Sequence, residues 1–180
     1  MLVEKLTKNI WVIPNFWGND VCNALIEETE SSGFFPKTLD DLSVDREEFN
    51  INNKSRIRFV SEELGEAISN NLAECAPRLE NGSVFKGINE NFRFYKYLPG
   101  QEFKKHKDNV YFKNEREKSY FSLLIYLNDT FSGGETIFDN CQISPKTGSA
   151  VIFPHELLHS GNLVNSGVKY VLRTDIIYRT

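Results

Sequence analysis

The chain has 180 residues, of which 40% are hydrophobic and 13% aromatic, and this suits one domain with a substantial buried core. Its 21 basic and 25 acidic residues leave a formal charge of -4. A balance this mild gives no reason to expect a nucleic-acid or anionic-membrane partner. We therefore expect a single compact domain over residues 1–180.

The N-terminal segment and the cysteines bear on the cellular compartment. Residues 1–17 place three charged residues among the apolar ones, which fits neither the apolar core of a signal peptide nor a membrane span. The three cysteines are far apart and form no CxxC pair, so we expect reduced thiols rather than disulfides or zinc ligands. These features predict a cytoplasmic protein.

Two segments have the apolar spacing of amphipathic helices, each expected to pack on a sheet. The first starts near Asp20, a capping residue, and stops near Gly33. The second starts after Ser61, also a capping residue, and is disturbed by Pro77. Between them, residues 36–55 are polar and acidic and are predicted to form a surface loop. The apolar positions are Val21, Leu25 and Ile26 in the first helix, and Leu64, Ala67, Ile68, Leu72 and Cys75 in the second.

From Asn91 onward the pattern changes to short runs of β-forming residues separated by turn residues. Helices followed by many short strands predict a mainly β, α+β fold: a double-stranded β-helix, or cupin-like jelly roll, braced by N-terminal helices. We assign residues 1–90 to helical support and strands, and residues 91–180 to the jelly-roll core. The predicted strands are 92–98, 120–127, 136–138, 149–153 and 168–178.

The chain has only three histidines, and one stands two residues before a carboxylate in His106-Lys107-Asp108. On extended backbone, residues i and i+2 project to one side, so this imidazole and this carboxylate could bind one ion. A His-x-Asp pair alone is weak evidence, because it often arises by chance. A second imidazole would place two imidazoles and one carboxylate on one face of an octahedral ion, the arrangement of oxygen-activating iron(II). His155 and His159 are both candidates for it.

A predicted strand further along carries two cations where apolar residues would be expected. Lys169, Val171 and Arg173 alternate onto one face of this strand. The simplest interpretation is that both cations reach solvent. A buried cation facing a metal site would instead suit a dicarboxylate co-substrate, with arginine giving a two-pronged contact and lysine a point charge.

Several ordered motifs between Asn91 and Tyr178 carry a resemblance to a known family. Tyr97 stands nine residues before His106, with Gly100 between them. Further matching stretches follow at 122–128, 133–138 and 145–153. In this order they resemble the 2-oxoglutarate and iron(II)-dependent oxygenases of the prolyl 4-hydroxylase-like branch.

The resemblance favours His159 as the distal histidine. The family's basic residue ten positions after that histidine falls on Lys169 when counted from His159, and on Asn165 when counted from His155. Prolyl hydroxylases of this branch usually rely on the lysine alone for 2-oxoglutarate. We therefore prefer Lys169 over Arg173 as the main co-substrate contact.

The resemblance also implies a role for each candidate residue. Fe(II), 2-oxoglutarate and dioxygen are the expected cofactor and co-substrates, with ascorbate as an optional reductant. The implied catalytic iron ligands are His106, Asp108 and His159; the 2-oxoglutarate contacts are Tyr97, Thr136, Lys169 and Arg173; and the residues lining the cleft or supporting the site are Arg93, Tyr95 and His155.

The implied function is hydroxylation of an unactivated C–H bond, coupled to decarboxylation of 2-oxoglutarate to succinate. A protein or peptide side chain is the preferred substrate, and a free amino acid or small metabolite is the alternative. A non-catalytic jelly-roll ligand-binding or interaction module is disfavoured, because the chain retains the two histidines, Asp108 and the strand cation. A metal hydrolase or isomerase on a cupin-like barrel is disfavoured, because it gives Lys169 and Thr136 no task.

Two charged loops without a core pattern, 36–55 and 109–118, are candidate lids over this site. In the second, Tyr111 and Phe112 could supply an apolar contact. An ordinary solvated connection is an equal alternative for both loops.

Overall fold

A computed structural model of the chain describes residues 2–31 and 55–179. The loop and candidate lid predicted at 36–55 lies outside these ranges except for its last residue, and so does the helix stop predicted at Gly33. In chain order the described elements are β1 (Glu4–Thr7), β2 (Ile10–Ile13), α1 (Asn19–Ser31), β3 (Ser55–Val60), α2 (Glu62–Leu72), β4 (Val84–Ile88), β5 (Asn91–Tyr97), β6 (Phe103–His106), β7 (Glu117–Tyr126), β8 (Ser132–Gly133), β9 (Thr136–Phe138), β10 (Gln142–Ile143), β11 (Ala150–Pro154), β12 (His159–Gly161), β13 (Val164–Ser166) and β14 (Lys169–Arg179).

The larger sheet is antiparallel and has the strand order β1-β2-β11-β7-β14-β5-β3, with β4 also paired to β14. Its central strands, β7 and β14, are almost entirely buried. Strands from the N-terminal half extend this sheet on both sides, since β2 pairs with β11 and β3 pairs with β5. The strands that carry the predicted core and those of the N-terminal segment therefore share one sheet.

A second antiparallel sheet has the order β10-β9-β12-β6, and β8 and β13 form a two-stranded ribbon. Side chains of the larger sheet, including Tyr95 and Tyr126, pack with Phe138 and Ile143 of the second sheet. The opposite face of the larger sheet forms a separate apolar core that includes residues of both helices. The result is the mainly β jelly-roll core with supporting helices that the sequence predicts.

The second predicted helix begins where its cap predicts. The Oγ atom of Ser61 accepts a hydrogen bond from the N–H of Leu64 at 3.2 Å, which satisfies one of the free N–H groups of the first turn. Ile68 and Leu72 are fully buried, whereas Ala67 is exposed. The buried stripe of α2 is therefore narrower than the sequence pattern predicts.

The prediction for the first helix was wrong about its start and about one apolar position. Helix α1 begins at Asn19, so Asp20 lies inside its first turn, and Val21 is exposed. The buried face instead carries Cys22 and Thr29, with two partly buried residues between them, a spacing that forms one helical stripe. Within the described ranges, neither helix is long and apolar enough to cross a membrane.

Candidate active site

Two adjacent strands and the segment after one of them bring the three predicted metal ligands together. His106 ends β6 and lies opposite His159, the first residue of β12. Asp108 lies two residues beyond β6, where its backbone N–H donates to the carbonyl of His155 at 2.9 Å. Nε2 of His106 is 3.5 Å from Oδ1 of Asp108, and Nε2 of His159 is 3.7 Å from Oδ2. One ligand atom from each residue lies within 4.8 Å of the others, close enough for a single ion.

Backbone carbonyls fix how the two imidazoles face this point. Nδ1 of His106 is 2.8 Å from the carbonyl oxygen of Lys104, and Nδ1 of His159 is 2.9 Å from that of Leu157. Since a carbonyl oxygen only accepts, each Nδ1 carries the proton and each Nε2 presents its lone pair. Burial lowers the pKa of His159 to about 4, so this imidazole is neutral at neutral pH, as a metal ligand must be.

The carboxylate of Asp108 is ionised and held at one oxygen. The Oγ atom of Ser122 donates to Oδ2 of Asp108 at 2.5 Å, and Nη2 of Arg173 lies 3.0 Å from the same oxygen. Burial alone would raise the pKa of Asp108, but the contact with His106 and the positive charge of Arg173 outweigh it and hold the pKa well below its usual range. The carboxylate is therefore charged and oriented.

His155 lies beside this group and points away from the triad. Its Nδ1 is 2.9 Å from Oγ of Ser122, and its Nε2 is 2.7 Å from Oγ of Ser119. Because Ser122 donates its proton to Asp108, it accepts from Nδ1–H of His155, and Nε2 then accepts from Ser119. Burial lowers the pKa of His155, which fits this neutral form. The structure thus brings His159 to the triad, while His155 supports Asp108 through Ser122.

A pocket opens beside the triad, and Lys169 is one of the residues that line it. Lys169 is 5% exposed, and its backbone is in register with Tyr97 on β5. Its ammonium donates to the carbonyl of Gly134 at 2.6 Å and lies 5.3 Å from the ring centre of Tyr97. The residues lining the pocket, apart from the triad, are Tyr95, Tyr97, Phe103, Leu124, Tyr126, Thr136, Ser160, Gly161, Lys169, Val171 and Arg173.

The charge on Lys169 is suited to binding an anion. Burial lowers the pKa of Lys169 to about 8, although Glu135 opposes this shift. In the part of the chain that the structure describes, no carboxylate lies within ion-pair distance of the ammonium. Burying a charge without a counter-charge is costly even when it is hydrogen-bonded, so an anion entering the pocket would offset part of that cost. Thr136, hydrogen-bonded to the hydroxyl of Tyr126 at 2.6 Å, lines the same pocket.

Arg173 lines the pocket, as strand alternation predicts, but at the end occupied by the triad. Its Nη2 is 3.0 Å from Asp108 and 3.2 Å from Asp175. Arg93 reaches the other oxygen of Asp175 at 3.4 Å. The two cations that the sequence proposed for one co-substrate thus have different neighbours: Lys169 has a carbonyl and aromatic rings, and Arg173 has the carboxylate of the triad.

Sequence reasoning missed the polar residues that support Asp108. Ser122 and Asp175 are cross-strand partners on β7 and β14 and are at most 1% exposed. Each interrupts a run of apolar residues in its strand, the one in 121–127 and the other in 171–178. A buried polar residue in such a run needs a partner, and this signal could have identified both.

The region that carries this site is similar in sequence to a known protein family. A family model described as the 2OG-Fe(II) oxygenase superfamily matches residues 92–174, which contain all three residues of the triad and the pocket cations. The matched region begins on β5 and ends on β14, so it includes the residues that line the pocket.

Two curated relatives match part of the chain. One, from Acanthamoeba polyphaga mimivirus, bears the name "Putative prolyl 4-hydroxylase" and is 31% identical over 103 residues, which are 46% of this chain and 42% of that protein. The other is a PKHD-type hydroxylase of Prochlorococcus marinus, 30% identical over 83 residues, which are 44% of this chain and 38% of that protein. The chain therefore spans less than half the length of either relative.

Solved structures match the fold over nearly the whole chain. A viral collagen prolyl hydroxylase of Paramecium Bursaria Chlorella virus-1, in complex with 2-oxoglutarate, has a TM-score of 0.62 and 19% identity, covering 96% of this chain and 97% of that one. A prolyl hydroxylase of Trichoplax adhaerens, in complex with a hypoxia inducible factor peptide, has a TM-score of 0.69 and 19% identity, covering 94% and 84%. At these identities the likeness shows the jelly-roll fold.

Proposed function

We propose that the protein is an Fe(II)- and 2-oxoglutarate-dependent dioxygenase that hydroxylates an unactivated C–H bond. The observation that carries the proposal is the convergence of two imidazoles and one ionised carboxylate beside a pocket with a buried ammonium group. The donor set fits iron(II), because two histidines and a carboxylate leave coordination positions open. The pocket suits a dicarboxylate, because Lys169 is a buried cation that lines the same pocket as the triad.

Each residue has a task in this proposal. His106, Asp108 and His159 would hold the iron, and the carboxylate of Asp108 would offset part of its charge. Lys169, with Tyr97 and Thr136, would bind the distal carboxylate of 2-oxoglutarate. When bound, iron and 2-oxoglutarate supply the oxidising chemistry by which dioxygen hydroxylates the substrate, with succinate and carbon dioxide as the other products.

The surrounding residues orient the ligands and exclude water. Ser122 and Arg173 hold one oxygen of Asp108, so the other oxygen stays directed toward His106. In this scheme Arg173 is a positioning residue for the carboxylate, and Lys169 is the main co-substrate contact. Tyr126, Val171 and other apolar lining residues keep bulk water away from the reacting atoms.

We further propose a protein or peptide side chain as the substrate, with prolyl hydroxylation as the model. Support comes from the names of the relatives and from the neighbour solved with a peptide. A free amino acid or small metabolite is the alternative. A cytoplasmic location and one working domain over residues 1–180 belong to the same proposal, supported by the free thiols of Cys22, Cys75 and Cys141 and by the sheet that both halves share.

Substrate-dependent succinate release tests the proposed function. Proline-containing peptides, peptides without proline and free amino acids are offered to the protein with iron(II), 2-oxoglutarate and oxygen. We expect succinate to form with at least one peptide class, and the His159→Ala variant to form none. Release that no substrate stimulates, at a rate unchanged in His159→Ala, would contradict the proposal.

A further inference from the structure

A buried row of alternating charges starts at the triad and continues along the larger sheet. Nη2 of Arg173 lies 3.0 Å from Oδ2 of Asp108 and 3.2 Å from Oδ1 of Asp175. Nη1 of Arg93 in turn lies 3.4 Å from Oδ2 of Asp175. The side chains of Asp108, Arg173 and Asp175 are at most 10% exposed, so water and salt screen these charges only weakly.

Asp175 is held in place from its other side. Its side chain is 1% exposed, and its Oδ2 accepts a hydrogen bond from Nδ2 of Asn89 at 3.1 Å. Asn89 is itself fixed, because its backbone N–H donates to the carbonyl of Asp175 at 2.8 Å and its Oδ1 accepts from Nδ2 of Asn91 at 2.8 Å. These hydrogen bonds keep Oδ1 of Asp175 directed toward Arg173.

A metal ion at the triad would lie beside the buried guanidinium of Arg173. Asp108 is the one carboxylate of the triad, and one of its oxygens is already 3.0 Å from Nη2 of Arg173. Like charges repel strongly where little water separates them. With Asp108 as its sole counter-charge, Arg173 would compete with the ion for that carboxylate and repel the ion as well. Asp175 supplies a second counter-charge.

We propose that Asp175 is a positioning residue that neutralises Arg173, so that Asp108 remains available to iron(II). The inference rests on the proposed function, because it assumes iron(II) at the triad. Asp175 acts through Arg173 and not by contact with iron or 2-oxoglutarate. In this scheme Arg173 can orient Asp108 without excluding the ion, because two carboxylates share its charge.

The affinity for metal ions in a single and a double variant tests this scheme. Dissociation constants for iron(II), and for zinc(II) as an ion without redox chemistry, are measured anaerobically by calorimetry on the full chain. We expect Asp175→Asn to bind both ions about tenfold more weakly or worse, the usual effect of losing a group that supports a metal ligand. The double variant Arg173→Gln/Asp175→Asn, which also lacks the unbalanced guanidinium, should bind both ions about threefold tighter than Asp175→Asn or better.

A purely structural role for Asp175 predicts the opposite order of the two variants. If the loss of Asp175 only loosened the sheet, a second substitution at Arg173 would weaken ion binding further. Urea unfolding of the ligand-free proteins measures how far each variant is destabilised.

Glu117→Gln is the matched control. Glu117 is the register partner of Arg179 and pairs with it on the same two strands, β7 and β14, and neither of these residues lines the pocket. This variant also removes a carboxylate from an arginine pair of the larger sheet. Its dissociation constant for iron(II) should be that of the unchanged protein, whatever its stability.

Arg93→Gln tests the scheme at a position that is easier to replace, since 25% of this side chain is exposed. It removes the other cation from Asp175 and leaves this carboxylate to Arg173. We expect Arg93→Gln to bind iron(II) more tightly than the unchanged protein. Weaker binding in Arg93→Gln, unchanged affinity in Asp175→Asn, or a double variant that binds no tighter than Asp175→Asn would overturn the inference.

The same titrations separate this inference from the proposed function. Failure of the unchanged protein to bind iron(II) contradicts the proposed function. Equal binding of iron(II) by the unchanged protein and by Asp175→Asn contradicts the role of Asp175 alone.

Discussion

Hydrogen bonding separates the roles of two histidines that lie four residues apart. Both ring nitrogens of His155 are engaged by serines, whereas His159 has only Nδ1 engaged and presents Nε2 beside Asp108. We predict that His159→Ala weakens iron(II) binding by at least a hundredfold, because one of three ligands is lost. The dissociation constant for iron(II) is measured by anaerobic calorimetric titration of the variant and of the unchanged protein.

The matched variant is His155→Ala, which removes an imidazole from the same segment. It leaves the triad in place and disturbs only the support of Asp108 through Ser122, a loss that typically costs about tenfold or somewhat more in metal affinity. If His155→Ala abolished iron binding while His159→Ala retained it, the assignment would be reversed.

We expect Lys169 to strengthen the binding of 2-oxoglutarate and to lower the free energy of unfolding of the ligand-free protein. We predict that Lys169→Met binds 2-oxoglutarate at least a hundredfold more weakly, while its free energy of unfolding without ligand is unchanged or about 1–3 kcal/mol higher. The methionine fills similar space and removes a buried charge. Calorimetric titration and urea unfolding give the two quantities, and a variant that lost both binding and stability would show a structural role instead.

The pH dependence of 2-oxoglutarate binding follows from the same ammonium. Burial lowers the pKa of Lys169 from 10.5 to about 8, so the unliganded protein loses this charge as the pH rises through 8. We predict that KM for 2-oxoglutarate rises above pH 8, approaching tenfold per unit, because an unprotonated lysine does not pair with a carboxylate. Lys169→Arg keeps its charge and should give a flatter profile over pH 7–10.

The contribution of Lys169 to stability has the opposite trend. Between pH 8 and 10.5 the unfolded chain binds more protons than the folded one, so this residue makes the ligand-free protein more stable as the pH rises. Stability and co-substrate affinity should therefore change in opposite directions across this window.

The residue types of the site could be predicted from the sequence, but their partners could not. The spacing of His106, Asp108 and Lys169 reflects strand alternation and a family pattern, both of which are local in sequence. Ser122 and Asp175 act on Asp108 and Arg173 through cross-strand contacts, and no local pattern gives the register that creates them. For that reason the sequence predicted Arg173 as a contact of the co-substrate, whereas in the structure it contacts Asp108.

At the scale of elements, a glycine turn holds Lys169. Gly134 has a φ of +68°, its carbonyl accepts from Lys169, and an added Cβ would lie 3.1 Å from the Cδ of that lysine. We predict that Gly134→Ala raises KM for 2-oxoglutarate about tenfold and also lowers stability by about 1 kcal/mol, the cost of a left-handed alanine. Steady-state kinetics and urea unfolding measure the two effects.

Gly82 provides the control for this turn. Its φ is +80°, and an added Cβ would have no atom within 4 Å, so Gly82→Ala should lose similar stability without a change in KM. Equal KM values for the two variants would show that the Gly134 turn does not position Lys169.

Strong periodic elements were predictable, and most of the shortest strands were not. All five predicted strands are present, with ends displaced by up to three residues, as where 120–127 corresponds to Glu117–Tyr126. The three-residue strand β9 is one of the five, whereas β8, β10, β12 and β13, with two or three residues each, are too short to show a period. Strand β6, which carries His106, is polar and half exposed, so its pairing depends on β12 rather than on its own composition.

The candidate lid at 109–118 has more local structure than the sequence indicates. Tyr111 and Ser119 exchange two hydrogen bonds, and Lys113 is bonded to Glu117 through the backbone and to Glu90 through its side chain. These contacts tie the segment to the start of β7. Tyr111 also lines a surface groove with Asn91 and Arg93, and the hydrogen bonds of the segment fix this wall of the groove.

At the scale of the molecule, the site depends on two sheets meeting at one end. His106 and His159 come from the smaller sheet, whereas Lys169, Arg173 and Ser122 come from the larger one. Packing between the sheets therefore sets the distance from the triad to the ammonium group. This distance matters because a single co-substrate has to reach both.

Anaerobic titration of the protein with iron(II) and then 2-oxoglutarate tests the central claim most directly. The account predicts a weak visible absorption band that appears only when both are present, saturates at one equivalent of each, and is absent in His159→Ala and in Asp108→Ala. A protein that shows no band at saturating iron(II) and 2-oxoglutarate, or a band that persists in both variants, would contradict it.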